Sequence, residues 1–319
     1  MKPDLILHPG FPKCATSSIQ LLFVKERHAV ARALGVRFIG ADFKPDNGFP
    51  SVSKLMYDYD ACVADVAATD YPDRRYFMSN EALNMQPQFI AVLKERFNIV
   101  RSVCTIRFPT TQAISSFRYS GWLTCDFAEF VKTRQKWLFH NVANKYSTRR
   151  FRELTEAPRL VSVEGPDDMR LEERFCQAAF DEVPAILSDA PFNKMSRANE
   201  APPLAFADAL ARAMRGRATS IPGPDRNRVV SAAKSHPLPD ELRNLGGPQV
   251  AMLPRRQVID CLNEYQAFLV ASGTDRTVAA AARASAAASY HKLCEQGDPT
   301  PAQLRALDDE ARRLLDTLL

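Results

Sequence analysis

Five short apolar runs, at 4–8, 36–40, 75–79, 98–106 and 159–164, alternate with segments of helical period over roughly the first 180 residues of this 319-residue chain. No other feature constrains the fold as much. A strand buried on both faces reads as a nearly continuous apolar run, and successive parallel strands need a crossover that a helix supplies. The pattern predicts an α/β fold, a parallel sheet with helices packed on both faces to make three layers. The helix predicted for 16–34 carries apolar residues at 19, 22, 23, 30 and 34, close to a 3.6 period. Asp42, Pro45, Asp46, Asn47, Gly48 and Pro50 mark 41–50 as a loop.

Near residue 182 the composition shifts to proline-punctuated segments. Residues 184–203 read as a loop, followed by helices at 201–216, 254–273, 276–296 and 300–319. The expected organisation is a core over 1–200 and a helical C-terminal extension over 201–319 packed on it, together one domain. The net charge of +5 comes from dispersed residues, which suits anionic ligands but gives no stripe for nucleic acid. Seven cysteines without a C-x-x-C pair predict reduced thiols and a cytoplasmic protein. The early apolar stretch is too short for a signal peptide, and no apolar run reaches the roughly 18 residues of a transmembrane segment. No His, Cys or Asp cluster has metal-ligand spacing, so no metal is expected.

The first apolar run leads into Leu5-Ile6-Leu7-His8-Pro9-Gly10-Phe11-Pro12-Lys13-Cys14-Ala15-Thr16-Ser17-Ser18-Ile19-Gln20, which reads as strand, anion-binding loop and helix. The first turn of a helix presents N–H groups without internal partners at the positive end of the macrodipole. Small residues at Ala15, Thr16, Ser17 and Ser18 let a phosphate approach that backbone, and Lys13 adds a point charge. The order is not that of a Walker A loop, whose lysine follows the second glycine. A second segment follows the strand at 98–106. It runs Arg107-Phe108-Pro109-Thr110-Thr111-Gln112-Ala113-Ile114-Ser115-Ser116-Phe117-Arg118-Tyr119. A guanidinium at a strand's carboxyl end, with a serine in the next helix, is suited to a phosphate.

Together these segments resemble the sulfotransferases that use 3′-phosphoadenosine 5′-phosphosulfate (PAPS), most nearly the bacterial, carbohydrate-sulfotransferase-like form. His8, Gly10, Lys13, Thr16, Ser17, Ser18, Ile19 and Gln20 match that family's loop, while Cys14 stands where threonine or serine is commoner and Ala15 where glycine is usual. The resemblance covers roughly residues 4–200 and implies a P-loop-like core. It further implies that Gly10 and Lys13 through Ser18 hold the 5′-phosphosulfate, and that Arg107 and Ser115 hold the 3′-phosphate.

On the same resemblance, the reaction moves a sulfuryl group from PAPS to a hydroxyl acceptor, a carbohydrate or glycolipid, without a metal. Lys13 would neutralise charge on the leaving phosphate. Glu81, at the end of the run 75–79, and His8, at the end of the first run, are rival general bases; a lone histidine in an apolar run is also the pattern of a satisfied core residue. Arg118, Tyr119, Trp122, His140, Asn144 and Tyr146 are candidates to line the acceptor pocket or simply to pack helices. Arg226, Arg228, Lys234 and His236 are candidates for a further cofactor clamp or a solvated basic face. Arg197-Ala198-Asn199-Glu200-Ala201 resembles a family segment with Ala201 in place of serine, and Glu164 occupies a position read as structural. The C-terminal helices offer a surface for a homo-oligomer. The alternatives are a P-loop nucleotide kinase or NTPase-like enzyme, and a non-catalytic nucleotide-binding protein that keeps the fold.

Overall fold

The computed structural model describes residues 1–11, 13–24, 29–50, 52–84, 86, 88–127, 129–130, 158–165, 169–189, 201–215, 221, 223–243, 245, 255–295 and 299–319. Strands β1 (Asp4–His8), β2 (Arg37–Ile39), β3 (Arg75–Ser79), β4 (Asn98–Ile106) and β5 (Pro158–Ser162) coincide with the five apolar runs. They form one sheet in the order β2-β3-β1-β4-β5, and every neighbouring pair is parallel. The β1–β4 register shifts between Leu5 and Ile6.

The helices on this part of the chain are α1 (Thr16–Val24), α2 (Ala29–Ala33), α3 (Val52–Tyr57), α4 (Tyr59–Ala68) and α5 (Phe89–Arg96). The described parts of the helix predicted for 16–34 are α1 and α2, and residues 25–28 lie outside the described residues. Side chains alternate across the strands with period two, so each sheet face has its own core. Ile6, Phe38, Phe77 and Val103 pack with α1, α2 and the helix Leu171–Phe180, through Ile19, Phe23, Val30 and Phe175. Leu5, Leu7, Ile39, Tyr76 and Met78 pack on the other face with Leu55, Cys62, Val66, Phe89 and Leu93 of α3, α4 and α5. The fold is three-layered α/β, as the periodicity requires. Each fully buried Phe or Leu here contributes about 1.5–3 kcal/mol of apolar transfer.

The chain divides into two compact units drawn from interleaved segments. The first takes Met1–Phe108, Ala143–Arg197 and Tyr265–Ser285; the second takes Pro109–Val142, Ala198–Glu264 and Ala286–Leu319. In the second, α6 (Pro109–Tyr119) packs with the helices Leu204–Arg215 and Pro301–Leu318 around Phe117, Trp122, Leu210, Val229, Leu307 and Leu315. Arg212 bonds Asp208 along its own helix and Asp308 at 2.8 Å. The helices predicted for 201–216, 254–273, 276–296 and 300–319 are Leu204–Arg215, Arg255–Ala271, Arg276–Cys294 and Pro301–Leu318. The predicted loop at 184–203 contains one short helix, Ile186–Asp189, and residues 190–200 lie outside the described residues. Among the described residues no helix is long and apolar enough to cross a membrane.

Sheet order locates the part of the first unit suited to a ligand. The chain leaves β1 for β2 on one side, while β4 is followed along the chain by β5 on the other. Adjacent strands whose connections diverge leave a crevice beyond their carboxyl ends, where open α/β sheets bind ligands.

Candidate functional site

At the carboxyl end of β1, Pro9, Gly10 and Phe11 fold back onto the first residue of α1. A Cβ on Gly10 would lie 2.1 Å from Thr16 Oγ1 and 2.7 Å from its Cγ2, so only glycine permits this approach. The Cys14 N–H donates to the Phe11 carbonyl at 3.1 Å, and the Thr16 hydroxyl donates to the same carbonyl at 3.3 Å. The Ile19 N–H donates to the Ala15 carbonyl at 3.1 Å, so the helix begins directly after the loop. Lys13 and Ala15 both adopt φ of 62°, the left-handed region. A Cβ there costs about 1–2 kcal/mol, which is the physical reason glycine suits position 15.

The loop and the segment that follows β4 meet. The backbone N–H and the guanidinium of Arg107, just past β4, both lie close enough to the Cys14 thiol of the loop to act on it electrostatically. Burial pushes the Cys14 thiol up to about 12, which makes it a neutral acceptor and not a nucleophile. Cys104 is likewise held as a thiol by burial and donates to the Pro9 carbonyl at 3.0 Å. Arg107 Nε lies 3.9 Å from Glu164 Oε1, and Glu164 Oε2 accepts the Phe108 N–H at 2.9 Å. Glu164 therefore holds both the side chain and the following backbone at the end of β4.

Glu81 follows β3 at the head of a 3₁₀ turn, Glu81–Asn84. The Asn80 N–H donates to the His8 carbonyl at 3.1 Å, and Asn80 Oδ1 accepts the Ala82 N–H at 2.9 Å. Burial raises the Glu81 pKa; the nearby Thr16 hydroxyl and the charge of Lys13 oppose that shift without cancelling it. Glu81, Lys13 and Thr16 thus form one cluster, with a carboxylate on one side of the loop and an ammonium within it. Gln20 of α1 fastens the same corner by donating to the Ser79 carbonyl at 3.0 Å.

Comparison with protein-family models, curated proteins and solved structures finds no match.

His8, the rival base, is fully buried. Nδ1 lies 2.9 Å from Ser79 Oγ, Nε2 lies 3.1 Å from Thr105 Oγ1, and its ring meets Phe175 edge-on with centroids 4.8 Å apart. Burial lowers its pKa to about 3. These contacts make it a tie between β3, β1 and β4 rather than a base open to an incoming hydroxyl. Ser17 and Ser18 are half-buried on the first turn of α1.

The remaining candidates have the following surroundings. Ser115 is half-buried on α6 in the second unit. Arg118 donates to the carbonyls of Pro202 and Ala201 at 2.8 and 3.0 Å, and Trp122 is core. Lys234 sits over the Tyr119 ring at 3.9 Å, His236 stacks on Phe206 and lies 3.1 Å from Glu310, and Arg228 donates to the Leu318 carbonyl. Arg226 is exposed. His140, Asn144, Tyr146 and residues 197–200 lie outside the described residues. Among the described residues no group of three or more His, Cys, Asp or Glu is placed to hold a metal ion.

A cavity of about 580 Å³ beside β5 is lined by Arg159, Val161, Arg174, Leu269 and Val278 and by none of the loop residues. Arg159 pairs with Asp181 and the Ala178 carbonyl, and Arg174 donates to the Val163 carbonyl. Sequence reasoning missed Tyr265, whose hydroxyl lies 2.7 Å from Ser162 Oγ and donates to Glu164 Oε2 at 3.4 Å. The only signal was a polar-tipped aromatic on a helical face, which fits many sites.

Proposed function

We propose that this chain is a sulfotransferase that moves a sulfuryl group from PAPS to a hydroxyl acceptor, a carbohydrate or glycolipid, and releases adenosine 3′,5′-bisphosphate. The observation that carries the reading is the convergence of the loop 10–18 with Arg107, with Glu81 clustered beside Lys13 and Thr16. The loop fits a phosphosulfate: Gly10 keeps the turn tight against Thr16, and small residues line the first turn of a nine-residue helix. Lys13 and the backbone of Cys14 through Ser18 would hold the 5′ end of the donor, and Arg107 the 3′-phosphate.

The bound donor supplies an activated sulfuryl group, transferred through a loose in-line transition state as in phosphoryl transfer. Positioning and charge stabilisation then fall to this chain. The Lys13 ammonium and the N-terminal amides of α1 neutralise charge accumulating on the departing phosphate. The Glu81 carboxylate takes the acceptor's proton. Its raised pKa strengthens it as a base. His8 keeps Ser79 and Thr105 in place behind the loop, and Glu164 orients Arg107.

One observation favours a second reading. Ala15 occupies a left-handed conformation where its Cβ narrows the approach to the backbone, which suits a non-catalytic nucleotide-binding protein. Calorimetric titration with adenosine 3′,5′-bisphosphate, against ATP with Mg²⁺ as control, tests both. Micromolar binding lost in Lys13→Ala and Arg107→Ala is expected, followed by sulfuryl transfer in an acceptor screen. Binding without turnover favours the second reading. No binding, or preference for Mg-ATP, overturns the sulfotransferase assignment.

A further inference from the structure

Glu164 is a buried carboxylate just beyond β5, and such a group is stable only when its lone pairs are satisfied. One oxygen faces Arg107 Nε at 3.9 Å; the other accepts the Phe108 N–H at 2.9 Å and the Tyr265 hydroxyl at 3.4 Å. Ser162 closes the circuit. Its Oγ lies 2.7 Å from the Tyr265 oxygen and donates to the main-chain carbonyl of Glu164. With the serine proton directed to that carbonyl, the tyrosine proton is left to serve Ser162 Oγ and Glu164 Oε2. Tyr265 thus secures the residue at both its side chain and its main chain.

The helix Arg255–Ala271 delivers this hydroxyl from a part of the sequence about a hundred residues beyond Glu164. The Tyr265 ring is buried, with its centroid 5.9 Å from that of Phe108, and it lies within electrostatic range of the Cys14 thiol. It therefore packs at the end of β4, close to the point where the loop meets it. We infer that Tyr265 is a positioning residue: acting through Glu164, it fixes the direction of the Arg107 guanidinium and so sets how strongly the protein prefers a nucleotide bearing a 3′-phosphate. This rests on the sulfotransferase reading of Arg107. Removing the hydroxyl leaves the carboxylate short of one bond, and a guanidinium paired to a loosened carboxylate loses its fixed orientation.

The test is calorimetric titration of wild type, Tyr265→Phe and Ser162→Ala with adenosine 3′,5′-bisphosphate and with adenosine 5′-monophosphate. The wild type is expected to prefer the 3′-phosphorylated nucleotide. Tyr265→Phe should reduce that preference about fivefold, with affinity for the 5′-monophosphate unchanged within about twofold. Ser162→Ala, which removes only the main-chain leg, should shift the preference in the same direction by less, and it decides the matter if Tyr265→Phe does not fold. A wild-type preference that both folded variants retain, or equal losses for both nucleotides, overturns the inference alone. A wild type with no preference overturns the sulfotransferase reading and this inference together.

Discussion

At the start of the helix Pro301–Leu318, Thr300 and Gln303 exchange hydrogen bonds and a proline opens the first turn. At the start of α1, Lys13 and Ala15 instead hold φ of 62°, and the segment is enclosed by a buried histidine and two shielded glutamates. The first arrangement satisfies each local rule for a helix start. The second departs from several at once, and its departures cluster at the carboxyl ends of β1, β3 and β4. Chains carry such local conflicts where a ligand needs them and compensate through the surrounding packing. The contrast fits the role proposed for the loop, while the second unit's core follows ordinary packing rules.

The largest effect that would break this contrast is on Glu81. Glu81→Gln should lower turnover about 10²–10⁴-fold while raising stability at neutral pH by about 1 kcal/mol. The sign follows from linkage: a carboxyl whose pKa rises on folding favours the folded state when protonated, and that contribution is lost as pH climbs from the ordinary glutamate value through the raised one. Paired steady-state kinetics and denaturant titration across that range check both halves, and a destabilised variant would sink the idea of a site held against its own stability.

An intermediate effect belongs to the second unit. Leu307 is fully buried in its core, and Leu307→Ala should cost about 2–5 kcal/mol. Chemical denaturation reads the loss. The pH profile of turnover, taken well below the melting temperature, should stay put, and a shifted profile would mean that this core is not mere packing. The smallest effect sharpens the contrast. Ala15→Gly relieves the left-handed Cβ but frees the unfolded chain, for a net gain of up to about 1 kcal/mol. Thermal melting in the presence and absence of adenosine 3′,5′-bisphosphate would reveal it, and a loss of stability would contradict the strain assigned to position 15.

The sheet was legible because the strands are buried on both faces, so Leu5 to Leu7 or Tyr76 to Met78 announce themselves without knowledge of their neighbours. The grouping of Lys13, Arg107 and Glu81 was legible for a related reason: each lies within about five residues of a strand's carboxyl end, and parallel strands bring those ends to one edge. The environment of His8 was out of reach, because its partners Ser79 and Thr105 lie 71 and 97 residues away. Tyr265 illustrates the same limit: hydrogen bonds that span a hundred residues leave no period in the sequence.

The tie made by His8 has a consequence for acid. An imidazole that titrates near 3 in the fold and near 6.5 in the open chain excludes a proton that the open chain accepts. Between those values each unit of acidification favours the open chain by about 1.4 kcal/mol at this residue alone. In the folded protein the ring is silent near neutrality, and the stability contribution becomes constant only well above pH 6.5, where the open chain too is unprotonated. Below it, a proton forced onto the ring disrupts the bonds that gather three strand ends behind the loop, and mild acid should loosen this edge of the sheet before the helices far from it.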